Sequence, residues 1–522
     1  MKKKDKINNL YIINNIKKKI IFFIIYFFLF SLLVLPLWLN KKFGFLYFEQ
    51  FKFNLTLIYY GYLDGDSNLI NSAIKWLIII PIILSIIIIY IKNLINFFHT
   101  NRDNSIDLII DKLKFIKKHY YKLKINKLFF FINFLINKIF VVILIILTFI
   151  FFYIFTNFFE KPSKVSKVDY LDQNYEYPDV YSSGNNSNLV LLYVESLENT
   201  LSNKQIFNED LIKEISEITE GNSVKYFYQI PGLGYTFSSL VATQCGVPLL
   251  QISKSYIDVK DLKGINKFLP NLKCLSDILA EYNYENIFLS SDYLENSLTD
   301  RFLLSHNYSQ LYGLRELIDM GYETSKNAYH NKNEWSGGIH DNILLKASID
   351  ILREQKKNKF NNFFMSIMTL DSHSPAGTPN PVCLKNIMKQ RNLNNFTIKE
   401  SFKCTSSYVR EFIEEFNKLN LDNTKLIIIG DHLLMKDLKL KERYIYNKFF
   451  IDNELDIKRD YINFFDLYPS ILEVMKFKIN NDKGKVALGF SVFTENDKYQ
   501  KIQTSMRGNS KLYDTFWQIK TD

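Results

Sequence analysis

Two kinds of apolar run divide this chain of 522 residues. Near the front they are long. Residues 20–39, Ile-Ile-Phe-Phe-Ile-Ile-Tyr-Phe-Phe-Leu-Phe-Ser-Leu-Leu-Val-Leu-Pro-Leu-Trp-Leu, carry no charge. At about 1.5 Å rise per residue they cross a hydrocarbon core about 30 Å thick. A second run covers 73–91, with Lys75 near one end, and a third covers roughly 129–158, interrupted at Lys138 so that its start falls nearer Ile139. The stretch 53–60 is too short to cross. A cleaved signal peptide does not account for the first run, which is too long and has no small-residue cleavage site after it.

Behind residue 187 the runs are short and end in polar residues. Asn188 to Val194 ends in Glu195-Ser196, Asn286 to Leu289 in Ser290-Ser291-Asp292, Phe363 to Leu370 in Asp371-Ser372-His373, and Lys425 to Gly430 in Asp431-His432. Such runs read as strands buried on both faces. Helical patterns lie between them, at 273–283, 341–353 and 406–418. Alternating strands and helices predict an α/β domain with a largely parallel central sheet and helices on both faces. The expected organisation is a membrane domain of about three transmembrane helices over 1–160, a linker over 161–187 rich in Pro, Ser, Gly and Asn, and a globular domain over 188–522.

Charge adds an orientation. Residues 1–165 hold 23 Lys/Arg against 8 Asp/Glu, while the rest hold 42 against 46. The basic character belongs to the front end, so no nucleic-acid partner is expected. Lysines crowd residues 1–19 and the 92–127 loop, whereas the 41–72 loop has only Lys41, Lys42 and Lys52. By the positive-inside rule the N-terminus is cytoplasmic and everything beyond about residue 160 lies outside the cytoplasm. Disulfides can form there. In chain order the cysteines couple as Cys245–Cys274 and Cys383–Cys404, each closing a loop of about 20 to 30 residues worth about 3 kcal/mol.

The candidate chemistry lies at the strand ends, because ligands of open α/β sheets bind at the carboxyl edge. Glu195, Asp431 and His432 are metal-type side chains, and carboxylate with imidazole suits a borderline divalent ion. Thr236 follows a Pro-Gly-Leu-Gly loop and opens the amphipathic run Phe237 to Thr243. It stands where a helix N-cap stands. It also stands where backbone N–H groups favour an alkoxide and an attacked phosphate.

The combination of Glu195-Ser196 after a strand, Thr236 in a Gly-rich loop before a helix, and a late strand ending Asp431-His432 resembles the metal-dependent alkaline phosphatase/sulfatase superfamily. More closely it resembles that superfamily's membrane-anchored phosphoglycerol transferases, the lipoteichoic-acid synthases and glucan-decorating enzymes. Tyr235 to Leu249, Tyr-Thr-Phe-Ser-Ser-Leu-Val-Ala-Thr-Gln-Cys-Gly-Val-Pro-Leu, looks most like the glucan-modifying branch, as does Cys274 to Leu279. The resemblance covers roughly 188–475.

It implies one divalent metal, Mn²⁺ first and Mg²⁺ or Zn²⁺ as alternatives, held by Glu195, Asp431, His432 and Thr236 Oγ. Thr236 is then the nucleophile and His373 the group at the phosphate. Asp292, Arg301, Trp335 and Asp341 are the substrate-binding candidates. Family members often show Trp-Gly-x-x-Asp, whereas here Trp335 and Asp341 are separated by Ser-Gly-Gly-Ile-His. Arg301 is the nearest candidate for the glycerol-phosphate arginine. The implied donor is phosphatidylglycerol and the implied acceptor an envelope glycan. The implied place is the inner membrane, with the catalytic domain on its periplasmic or extracellular side.

Rival readings separate on residues. A formylglycine sulfatase needs Cys-x-Pro-x-Arg, but after Cys245 the Pro comes one place late and no Arg follows. A phosphoethanolamine transferase would share the metal and threonine and differ in donor lipid. A non-catalytic binding protein would be favoured by loss of Glu195, Thr236, Asp431 or His432, and all four are present.

Overall fold

The computed structural model describes residues 2–43, 72–94, 139–156, 170–230, 233–249, 267–295, 298–322, 338–358, 362–374, 377–391, 397–435, 438, 440, 442–481, 483–495 and 511–517. The chain divides into two compact units, residues 1–46 with 67–160 and residues 47–66 with 161–522.

The first unit is built from apolar helices: α1, Lys2–Phe43, α2, Ile74–Leu94, and α3, Ile139–Phe155. Two of them are long and apolar enough to cross a membrane, Lys19–Lys41 with 23 residues and Ile74–Leu94 with 21. The third is shorter, and residues 129–138 of the expected third span lie outside the described residues. Tyr26, Phe30 and Leu144 pack together inside the unit, while Phe28, Ile86 and Phe149 stay more than half exposed. Outward apolar side chains on helices of this length suit a lipid environment. A side-chain hydrogen bond joins α2 to α1. The first part of α2, Ile74–Ile79, is a π-helix with five-residue hydrogen bonds, and Pro81 follows it. The Ser31 hydroxyl of α1, which also reaches Phe27 O, lies 2.9 Å from Leu77 O.

In the second unit the central sheet has six strands: β1, Asn188–Val194; β3, Glu285–Ser290; β4, Gln310–Tyr312; β5, Phe363–Met368; β6, Thr424–Gly430; and β7, Asn447–Phe450. Their order is β4-β3-β5-β1-β6-β7. All neighbours are parallel except β6 and the edge strand β7. Two further short strands, β2 at Tyr226–Tyr228 and β8 at Tyr461–Asn463, pair with each other outside this sheet.

Central β1 shows why its sequence is a continuous apolar run. Leu189, Leu191 and Tyr193 enter one core layer, and Val190, Leu192 and Val194 enter the other. The first layer is filled by α4, Thr236–Cys245, α5, Leu275–Glu281, and α9, Phe464–Val474, through Leu240, Ile278 and Phe464. The second is filled by α6, Asp341–Asn358, and α8, Ile398–Leu419, through Leu352, Val409 and Phe412. Each fully buried side chain of this kind contributes about 1.5–3 kcal/mol.

Two disulfides brace the surrounding layers. Cys245 at the end of α4 is bonded to Cys274 at the cap of α5. Cys383 of α7, Pro381–Arg391, is bonded to Cys404 of α8. These are the two pairs that chain order couples. The segment expected as a linker departs from that reading. From Tyr170 onward it is built into the domain, because Leu171 is buried in the first core layer and Val180–Ser182 pairs with Phe477–Ile479.

Candidate metal centre and nucleophile

The register of β1 and β6 creates the site. Val194 stands opposite Gly430, so the next residue on each strand, Glu195 and Asp431, emerges side by side at the carboxyl edge. Parallel neighbours are about 4.8 Å apart, which brings the two carboxylates and the following His432 within reach of one ion. Gly430 permits this approach. A Cβ there would lie 1.9 Å from Leu197 O, inside any tolerable contact.

Glu195, Asp431 and His432 are each at most 1% exposed. One ligand atom from each lies within 4.8 Å of the others. Asp431 Oδ1 accepts N–H bonds from Ser196 and His432, both at 2.7 Å. Ser196 Oγ donates to Glu195 Oε1 at 2.6 Å. Ser196 holds a φ of 54°, a left-handed conformation uncommon for a residue with a side chain. Those two bonds keep it there.

The remaining atoms point inward. Asp431 Oδ2 and His432 Nε2 are buried without a hydrogen-bond partner. His432 Nε2 approaches Glu195 Oε1 and Asp431 Oδ2 at 3.4 and 3.5 Å. His432 Nδ1 lies 2.9 Å from Leu433 O, an acceptor only, so Nδ1 carries the proton and donates. In the neutral ring Nε2 is then left with its lone pair, the arrangement a metal-ligating histidine adopts. Two carboxylates and one imidazole nitrogen around one point, with Asp431 Oδ2 and His432 Nε2 left orphaned, fit a divalent cation.

Electrostatics agree. Burial, reinforced by Glu195 alongside, pushes the Asp431 carboxyl up to about 7. Burial works against charge on the His432 imidazole, but Asp431 and Glu195 outweigh it and raise its pKa. Burial leads the first shift and the two neighbouring carboxylates the second.

Thr236 joins this group through its side chain, its Oγ lying 3.3 Å from Glu195 Oε2. The N-cap reading is corrected by one residue. Tyr235, with extended backbone at φ −153° and ψ 152°, is the cap, and Thr236 is the first helical residue. Its hydroxyl faces the carboxylates rather than its own helix. Pro231 and Gly232 of the preceding loop lie outside the described residues.

His373 is half-buried on the turn after β5. Neighbouring Ser372 Oγ donates to Glu195 O at 2.7 Å, which fastens that turn to the end of β1. Asp341 has a different place from the one expected of a substrate ligand. It is fully buried, accepts the N–H groups of Leu370 and Asp371 at Oδ1, and takes the Thr405 hydroxyl at Oδ2. Burial, with Asp371 alongside, pushes its carboxyl well above the usual range. Its oxygens are spent on shaping the His373 turn. Asp292 follows β3, and its carboxylate accepts the Tyr293 N–H at 2.7 Å. Arg301 is half-buried on the helix Thr299–Ser305, with Nε 3.9 Å from Asp300 Oδ2. Trp335 lies outside the described residues.

Sequence reading missed an outer clamp. Glu198 is fully buried, and its carboxylate takes Arg443 Nε at 3.1 Å, a second Arg443 nitrogen, and the Leu434 N–H at 3.2 Å. Arg443 also donates to Leu434 O at 2.7 Å, and Gln229 Oε1 accepts the Leu433 N–H at 2.7 Å. The two residues after His432 are therefore held at their peptide groups, and with them the Leu433 carbonyl that fixes the imidazole tautomer. Burial pushes the Glu198 carboxyl up while Arg443 pulls it down, with a net rise.

Residues 187–476 match the Sulfatase family, which is more than half of the chain. The chain belongs to the sulfatase family. This sulfatase-family chain is 28% identical over 296 residues to phosphoglycerol transferase I of Citrobacter koseri, covering 54% of this chain and 36% of that one. It is 29% identical over 261 residues to phosphoglycerol transferase I of Escherichia coli, covering 49% and 32%. The chain thus spans about a third of the length of the curated relatives it matches. Among solved structures, the lipoteichoic acid synthase LtaP of Listeria monocytogenes is similar at 15% identity and a TM-score of 0.45, covering 61% of this chain and 79% of that one.

Proposed function

We propose that this chain is a metal-dependent transferase that moves phosphoglycerol from phosphatidylglycerol to a hydroxyl of an envelope glycan. The observation that carries the reading is the convergence of Thr236 Oγ, Glu195, the orphaned Asp431 Oδ2 and the orphaned His432 Nε2. The named relatives favour phosphoglycerol as the group transferred. Glu195, Asp431 and His432 would hold one divalent ion, Mn²⁺ being suited by the mixed oxygen and nitrogen set, and Thr236 Oγ would join them. Such an ion lowers the pKa of a hydroxyl and withdraws charge from phosphoryl oxygens.

The residues supply the rest. Thr236 Oγ attacks phosphorus, the P–O bond to diacylglycerol breaks, and the threonine proton leaves with diacylglycerol. His373 delivers that proton to the leaving oxygen. The acceptor hydroxyl then attacks the glycerophospho-threonine, its oxygen replaces Thr236 Oγ on phosphorus, and its proton returns to threonine. The apolar helices anchor the chain in the inner membrane beside its lipid donor, with the catalytic domain on the periplasmic or extracellular side.

Incubating the detergent-solubilised chain with headgroup-labelled phosphatidylglycerol, without acceptor, tests this reading. Label on the 231–250 peptide and chelator-sensitive diacylglycerol release are expected. Release that ignores chelator, with no labelled peptide, overturns it. Label transferred only from phosphatidylethanolamine identifies a phosphoethanolamine transferase instead.

A further inference from the structure

Three tyrosines form a shelf next to the candidate metal centre. Tyr226 and Tyr228 stand two apart on β2, on the face opposite Phe227, which is buried against Phe464 with ring centroids 4.7 Å apart. Tyr444, from the segment entering β7, packs against both, at 5.0 Å from Tyr226 and 5.2 Å from Tyr228. All three keep part of their surface in solvent. The rim is charged with both signs. Lys225 Nζ lies 4.8 Å over the Tyr226 ring, and the Tyr444 hydroxyl donates to the exposed Glu442.

Both segments of the shelf are tied to the loop after His432. Gln229, next to Tyr228, accepts the Leu433 N–H, and Arg443, next to Tyr444, donates to the Leu434 carbonyl. Tyr228 and Tyr444 are thus each one residue from a side chain that holds a peptide group just after His432. From Gln229 the chain runs on to Thr236.

We propose that Tyr226, Tyr228 and Tyr444 are the acceptor subsite, on which sugar rings of the glycan stack. This rests on the transferase reading above. A sugar ring has an apolar C–H face and a polar edge of hydroxyls. Tyrosine offers a rigid apolar face with a hydroxyl tip, at small entropic cost per contact. Glu442 and Lys225 accept from and donate to the hydroxyl edge. A glycan hydroxyl has no charge by which to be steered, so its approach to the phosphoryl group depends on holding the ring itself in place. Aromatic side chains also line membrane interfaces. A rim that carries both Lys225 and Glu442 matches the donor and acceptor hydroxyls of a sugar edge better than the single sign of an anionic lipid surface.

The test uses the detergent-solubilised full chain, labelled phosphatidylglycerol and a β-linked gluco-oligosaccharide as acceptor probe. In Tyr228→Ala and Tyr444→Ala, diacylglycerol release without acceptor is expected to stay within about twofold of wild type. The oligosaccharide concentration for half-maximal transfer is expected to rise about tenfold or more, one strong aromatic contact. Tyr444→Phe, which keeps the ring, should stay within about threefold. Unchanged half-saturation in both alanine variants overturns the proposal, as does a loss of release in step with transfer. So does weaker binding to phosphatidylglycerol vesicles with oligosaccharide saturation intact. If wild type releases no diacylglycerol, the transferase reading fails by itself. The shelf is then judged by oligosaccharide titration of tyrosine fluorescence, where no binding to wild type, or equal binding to wild type and both variants, overturns it.

Discussion

Thr236 Oγ lies 3.3 Å from Glu195 Oε2, from a helix position where its hydroxyl is not needed as a cap. The side chain can therefore be altered with little effect on the helix. Thr236→Ala should change stability by no more than about 1 kcal/mol, the value of one hydrogen bond. It should reduce transfer by about a thousandfold or more, because the covalent route is gone. Thr236→Ser should keep measurable transfer. Melting curves alongside diacylglycerol release separate the two effects.

Metal and pH should be linked through Asp431. Its folded pKa of about 7 lies above the unfolded value of about 3.9. Between these values the folded, metal-free chain binds a proton that the unfolded chain has lost. Its stability therefore falls as pH rises from about 4 to 7. A cation takes the proton's place, so Mn²⁺ should raise the melting temperature more at pH 8 than at pH 6. Affinity should weaken by up to about tenfold per unit below pH 7. Thermal melts with Mn²⁺ and with chelator across this range check both statements. A metal-induced shift that is larger at pH 6 would contradict them.

Arg443→Met should damage fold and site together. It strands the buried Glu198 carboxylate, at a cost of about 3–5 kcal/mol. Arg443→Lys keeps a charge but loses the two-pronged contact, and should be milder in stability while still weakening metal binding about tenfold. Chelator competition on the protein that remains folded in the cold reads the second effect independently of melting.

Gly430→Ala places a methyl 1.9 Å from the Leu197 carbonyl oxygen, with both backbones locked in the central sheet. A loss of about 3 kcal/mol or more is expected. Gly321, at φ +82° with open space around its Cβ position, is the control and should cost only about 1 kcal/mol as alanine. Chemical denaturation of the two variants gives the comparison.

The central strands were legible because burial on both faces leaves an uninterrupted apolar run followed by an abrupt polar residue. Asn188–Val194 matches the expected bounds, and Glu285–Ser290 extends the expected strand by one residue at each end. The edge strands Gln310–Tyr312 and Asn447–Phe450 escaped, since one is only half-buried throughout and the other alternates. Glu195, Asp431 and His432 were legible for the same reason, as the first residues past buried strands. The Glu198–Arg443 clamp was not, because its partners are 245 residues apart and no local pattern joins them. Asp341 misled for a related reason. It was put forward through a Trp-Gly-x-x-Asp pattern that this chain spaces out, and only the three-dimensional structure shows its oxygens filled by Leu370, Asp371 and Thr405.

The alternation of β1 between two core layers carries a consequence for how the site fails. Every residue from Leu189 to Val194 is fully buried, and Glu195 follows without a hinge. No local opening can release that ligand while the sheet stands, so the amides of β1 and β6 should exchange with solvent only through global unfolding. Displacement of the Glu195 ligand on heating should then be a single cooperative event coincident with melting of the sheet. Heat therefore takes the Glu195 carboxylate out of place only when it takes the whole sheet, whether or not a cation is bound.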